Sequence, residues 1–198
     1  MDKNRIEAFS DGVLAIIITI MVLELKVPHG VELAAIVQLV PVFMSYCLSF
    51  IYVGIYWNNH HHMFKAVHKV NGVTLWANLF LLFWLSLLPF TTGWMGENHF
   101  AQWPVTIYGT NLLLCALAYF ILQSVLIHQQ GPDGVLARAI GKDIKGKISP
   151  IFYLLGCAAA WLGYPAVAIA VFVFVALLWL VPDRRVEHLV DHSVDNIS

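Results

Sequence analysis

Apolar residues in this chain fall in long runs rather than in alternating or narrow stripes. From Gly12 to Leu23 the sequence reads Gly-Val-Leu-Ala-Ile-Ile-Ile-Thr-Ile-Met-Val-Leu, without a charge. A helix needs about 20 mostly apolar residues to cross the hydrocarbon core of a bilayer, so each such run predicts a spanning helix. The runs place spans at 6–27, 33–63, 71–92 and 102–128, with Pro41 predicting a kink in the second. The stretch 148–181 is too long for one straight helix, and Gly163-Tyr164-Pro165 interrupts it. Proline starts helices readily, so this stretch predicts two short helices and the chain six spans. The predicted fold class is an all-α polytopic membrane protein.

Composition agrees with the runs. Of 198 residues, 60% are hydrophobic and 12% charged, and the mean hydropathy is +0.75. A soluble domain is about a quarter charged. A net charge of −1 predicts no nucleic-acid surface. Six spans put 1–5, 64–70, 129–147 and 182–198 on one side, and ten of the eleven Lys and Arg residues fall there, Lys26 being the exception. Positive loops stay inside, which predicts a multi-pass protein of the cell membrane with both termini cytoplasmic. Residues 1–185 form the membrane domain and 186–198 a polar cytoplasmic tail. Cys47, Cys115 and Cys157 all sit in apolar spans, which argues against disulfides and against a thiolate zinc site. No small-residue cleavage site follows the first run, so the first helix is expected to stay as a span.

Orientation sets depth. Arg5, Ser10 and Asp11 open span one on the cytoplasmic side. Trp57, Asn58, Asn59, His60, His61 and His62 close span two at that level, and Asn78 lies in the first turns of span three. Polar groups inside a membrane need partners. A network of Asp11, Arg5, His61 and Asn78 is expected to lock the three helices together. Other chemistry draws on the same residues. Consecutive helical residues project about 100° apart, so the three histidines cannot converge on one ion, and no metal site or cofactor is expected. Asp11 with a histidine would make a proton relay, because histidine titrates near neutral pH. Ser10 with a histidine would make a hydrolase nucleophile, but no Gly-x-Ser-x-Gly elbow or triad spacing accompanies it.

The first helix has a second face. Gly12, Ile16, Thr19, Ile20, Leu23 and Val27 share an arc of about 100° on a helical wheel. Asp11 lies about 130° from the centre of that arc, so the helix is expected to bury Asp11 in the subunit body while offering the stripe elsewhere. Such a stripe ordinarily packs on a helix or on lipid. It also suits a pore, because apolar rings gate by dewetting and threonine hydroxyls contact passing ions. Ile16 to Leu23 covers about 10 Å of axis, enough for two or three rings. Beyond it, Glu24 is expected to pair with Lys26 at the interface. Trp84, Trp94, Trp103 and Trp179 read as packing or belt residues.

These residues resemble those of the endolysosomal potassium channels (transmembrane protein 175) and their prokaryotic relatives. The family's Arg-x-x-x-Phe-Ser-Asp motif is complete here as Arg5, Phe9, Ser10 and Asp11. Tyr56-Trp57-Asn58-Asn59-His60-His61 with Phe64, Asn78, and Pro89-Phe90 continue the resemblance. It implies a potassium-permeable cation channel, not an enzyme, with the first span lining the pore. The family's hydrophobic constriction would fall on Ile16, Ile20 and Leu23 and its hydroxyl ring on Thr19. The Phe-Ser-Asp residues would join the span-two histidine and tryptophan in a structural network. Members with two six-span repeats form dimers. This chain holds one repeat, so the resemblance implies a homotetramer around a fourfold pore that passes monovalent cations. The Thr-Val-Gly-Tyr-Gly filter of ordinary potassium channels is absent. The alternative reading is a proton-coupled secondary transporter titrating Asp11 and His61. Transporters hold their site near the midplane, whereas this cluster sits near one end.

Overall fold

A computed structural model describes residues 3–67, 69–131, 134–140 and 144–180. The predicted tail at 186–198 lies outside the described residues, as does the end of the predicted membrane domain at 181–185. Among the described residues all regular structure is helical: α1 (Lys3–Leu23), α2 (Leu33–Val37), α3 (Val40–Lys65), α4 (Gly72–Ser86), α5 (Leu88–Glu97), α6 (Gln102–Gln130), α7 (Val135–Ile140), α8 (Ile144–Trp161) and α9 (Pro165–Leu180). α1, α3, α6 and the α4–α5 stretch Gly72–Glu97 are each long and apolar enough to cross a membrane.

Two prolines start helices, which for Pro41 departs from the kink expected from sequence. Pro41 does not kink a long second span. The helix instead stops at Val37, turns through Gln38 and Leu39, and restarts as α3 with Pro41 in its first turn. Proline has no N–H to donate and its ring crowds the carbonyl four residues back, so a helix begins more easily at it than through it. Pro89 does the same in the third span: α4 ends at Ser86, α5 starts at Leu88, and the stretch runs on to Glu97. Leu87 keeps right-handed helical torsions and donates to Trp84 O, so the axis bends without unwinding.

The remaining boundaries have local chemistry. Asn71 caps α4, its side chain accepting from Thr74 N at 2.9 Å and satisfying a free donor of the first turn. α8 ends where predicted. Gly163 takes φ +91°, Gly163 N donates to Ala160 O, and Tyr164 N reaches back to Ala159 O at 2.9 Å. That double bond closes the helix end, and Pro165 then starts α9. A side chain at φ +91° is strained, although a Cβ there would meet open space. Gly163→Ala is therefore expected to destabilise the protein by about 1 kcal/mol, seen as a small drop in melting temperature in detergent.

One continuous core joins the helices. α1 packs on α3, α4 and α5; α6 packs on α4, α5, α8 and α9; α8 and α9 form a hairpin. Glycines permit the closest approaches. Gly96 of α5 leaves no room for a Cβ beside Ser45 and Val42 of α3. Gly109 of α6 and Gly156 of α8 both face the Phe172 ring, which is fully buried. Several polar groups in this core are paired across helices. Ser49 Oγ meets Thr92 Oγ1 at 2.6 Å and Tyr108 Oη at 3.0 Å, tying α3 to α5 and α6. Tyr52 donates its hydroxyl to Phe172 O at 2.6 Å, tying α3 to α9.

Candidate functional site

The two faces of α1 have opposite fates. Ile6, Ser10, Leu14, Ile17 and Met21 recur every three or four residues and are buried against α3, α4 and α5. Gly12, Ile16, Thr19, Ile20 and Leu23, with Val27 beyond the helix end, form the predicted stripe and are exposed, Ile16 at 59% and Leu23 at 73%. The subunit thus leaves an apolar ribbon uncovered along its first helix. Within that ribbon Thr19 Oγ1 donates to Ala15 O at 2.9 Å. Its hydroxyl hydrogen is held by the backbone, so the oxygen lone pairs are what Thr19 presents outward.

Behind the ribbon lies a buried polar chain. Asn78 Nδ2 of α4 donates to Ser10 Oγ of α1 at 3.0 Å. Asn78 Oδ1 pairs with His60 Nε2 of α3 at 2.8 Å. An amide oxygen only accepts, so His60 carries its proton on Nε2 in this arrangement. The His60 ring stacks on Phe64, with centroids 4.5 Å apart. Ser10, His60 and Asn78 are all nearly or fully buried, and together they clamp three helices at one level.

Asp11 does not join that chain. It is exposed rather than buried in the subunit body, because it stands 100° round the helix from Ser10. Asp11 Oδ1 accepts from Trp57 Nε1 at 3.0 Å, and Trp57 stacks on His61 with centroids 6.4 Å apart. The expected network of Asp11, Arg5, His61 and Asn78 therefore divides into two. Asn78 serves Ser10 and His60 inside, Asp11 and His61 meet Trp57 outside, and Arg5 and Phe9 lie exposed beyond both. Trp57→Phe removes the donor to Asp11 but leaves the carboxylate in reach of water. It is expected to lower stability by about 1 kcal/mol at most, read as a small shift in melting temperature.

Sequence reasoning missed two further ties. Lys3 Nζ donates to Phe64 O at 3.3 Å, a cation at the last turn of α3, where the helix dipole favours one. Lys26 pairs with Glu97 at 2.9 Å rather than with Glu24, and the neighbouring carboxylate raises the Lys26 ammonium above the usual lysine range. Glu24 instead lies beside Gly93 of α5. Among the described residues no group of three or more His, Cys, Asp or Glu side chains is placed to hold a metal ion. The Ser10 hydroxyl is wholly buried and engaged by Asn78, which leaves it no access to a substrate.

Comparison with known proteins follows the same residues. A family profile described as the endosomal/lysosomal potassium channel TMEM175 matches residues 5–89, from Arg5 to Pro89. The chain is 58% identical over 187 residues to a potassium channel of Chryseobacterium sp. (strain P1-3), covering 94% of this chain and 97% of that one. It is 28% identical over 162 residues to the endosomal/lysosomal proton channel TMEM175 of Gallus gallus, covering 72% of this chain but 32% of that protein. Among solved structures, the lysosomal potassium-selective channel TMEM175 homologue from Chamaesiphon minutus superposes with a TM-score of 0.78 at 28% identity. That match covers 90% of this chain and 96% of the other.

Proposed function

This chain belongs to the TMEM175 family of potassium channels, and we propose that it conducts potassium through a pore lined by the exposed ribbon of α1. The observation that carries this reading is the pairing of that ribbon with a buried clamp on the opposite face of the same helix. A pore helix needs a face without partners inside its own subunit and a second face that holds it in place. Four copies arranged about a fourfold axis bring four ribbons together. Ile16, Ile20 and Leu23 then form apolar rings that exclude water and close the pore at rest. Thr19 adds four hydroxyl oxygens, each with its hydrogen turned back to Ala15 O, so the ring offers acceptors to a cation. In this reading six helices cross the cell membrane, and α8 and α9 supply the last two. Both termini and the basic loops lie on the cytoplasmic side, so the clamp stands near the inner end of the pore.

The proton-coupled transporter reading needs Asp11 and His61 to exchange a proton. Trp57 sits between them as a hydrogen-bond donor to one and a stacking partner to the other, which gives that reading little support. Protons stay among the ions to test, since the chicken relative is named for them.

Flux from proteoliposomes of purified protein tests the proposal, with potassium, sodium and proton gradients imposed in turn. Fast passive potassium flux that does not saturate is the expected result. Flux that appears only with a proton gradient, or saturates with substrate, would overturn it in favour of a coupled transporter.

A further inference from the structure

Away from α1, an open-mouthed cavity lies between α3, α6, α8 and α9, and we propose that it binds a neutral amphiphile headed by a hydroxyl or an amide. The proposal goes beyond the pore assignment and does not depend on it. Aromatic rings form most of the wall. Tyr56 and Tyr119 meet edge to face at 6.0 Å, and Tyr52 and Tyr153 lie tilted to each other at 6.2 Å, with Phe120 and Trp179 alongside. Two polar side chains in the wall lack partners. Gln123 is 7% exposed and Tyr56 8%, and among the described residues neither the amide nor the hydroxyl has a hydrogen bond. Neither polar group is sealed off in the core, so both are open to whatever occupies the cavity.

The chemistry of the wall selects the ligand. An amide both donates and accepts, and so does a phenol, so the group that satisfies Gln123 and Tyr56 together must do both. Hydroxyls and amides qualify. Among the described residues no Asp, Glu, Lys or Arg lines the cavity, so a carboxylate, phosphate or ammonium would meet no counter-charge from them. The rings, Ile55 and Ala116 accept an apolar body. Asn59 adds its oxygen as a further acceptor at the rim, while one of its two Nδ2 hydrogens is given to Ile55 O at 2.8 Å. Ser149 is occupied, accepting from Trp179 Nε1 at 2.9 Å and donating to Lys145 O at 2.7 Å, and so holds the wall rather than the ligand.

A diazirine-bearing octanol is the probe, applied to the full chain in proteoliposomes, photolysed, and its adducts mapped by mass spectrometry. Adducts concentrated on Tyr56, Tyr119 and Gln123, saturating with probe and displaced by excess octanol, are the expected result. Gln123→Leu should lower their yield about tenfold, the loss of one good hydrogen-bonding partner. Ala116→Phe, which fills the cavity from a different position, should lower it as much, while Ser124→Leu, on the exposed side of α6, should not change it. Adducts that rise linearly with probe and scatter over lipid-facing residues would overturn the proposal, as would labelling that both cavity variants leave intact.

Discussion

Ile16→Asn is expected to raise passive potassium flux about tenfold in proteoliposomes matched for protein content. A closed apolar constriction resists ions because it resists water, and an amide at the ring gives water something to bond. Lowering that barrier by about 1.4 kcal/mol multiplies the rate about tenfold. Ile16 is 59% exposed on the subunit surface, so a polar side chain there breaks no contact within the fold. The protein should therefore reach the membrane with normal yield, and the change in flux can be read as a change in the pore. Leu23→Ala acts on the same barrier by widening a ring, and should raise flux in the same direction. If both variants conduct like the parent chain, the ribbon of α1 faces lipid or a neighbouring helix, and the pore lies elsewhere.

Asn78→Leu is expected to do the opposite kind of damage. Leucine fills nearly the same volume but leaves Ser10 Oγ and His60 Nε2 without a partner in a site that water does not reach. Each buried orphan costs about 1–3 kcal/mol in proteins generally. Within membranes the lower end applies, because loosened helices find other partners, so the total is about 2 kcal/mol. That corresponds to a fall in melting temperature of about 4–8 °C for a chain of this size. Ser10→Ala removes one end of the chain and should cost less. An Asn78→Leu protein as stable as the parent would mean that packing, and not the polar chain, holds α1 to α3 and α4.

These two expectations rest on information of different kinds. The apolar runs and the Gly163–Pro165 break were legible because hydrophobicity and backbone chemistry act locally. Pro41 was legible as an interruption but not as a helix start, since the residues before it are as apolar as those after, and the break at Pro89 was not read at all. The polar clamp was legible in depth and not in azimuth. Sequence placed Ser10 and Asp11, and His60 and His61, at one level, but neighbours on a helix point 100° apart. That single angle sends Ser10 and His60 to Asn78, and Asp11 and His61 to Trp57. Lys26 shows the same limit over distance: Glu24 is two residues away and Glu97 seventy-one, yet the fold selects Glu97. The cavity of Gln123 was not read from the sequence, because its wall joins one-sided stripes of α3 and α6 to residues of α8 and α9, and only the fold brings them together.

The position of Ser10 along α1 has a mechanical consequence. The clamp grips the helix near its start, and Leu23 stands 13 residues further on, about 20 Å away at 1.5 Å per residue. The bond to Asn78 is a natural pivot for α1, with Leu14, Ile17 and Met21 packed on the neighbouring helices beyond it. A tilt of about 5° sweeps Leu23 through roughly 1.7 Å but Ile16 through less than half of that, by the same rise per residue. If the proposed pore is carried on that arm, its constriction opens unevenly, Leu23 travelling more than twice as far as Ile16 in the same tilt.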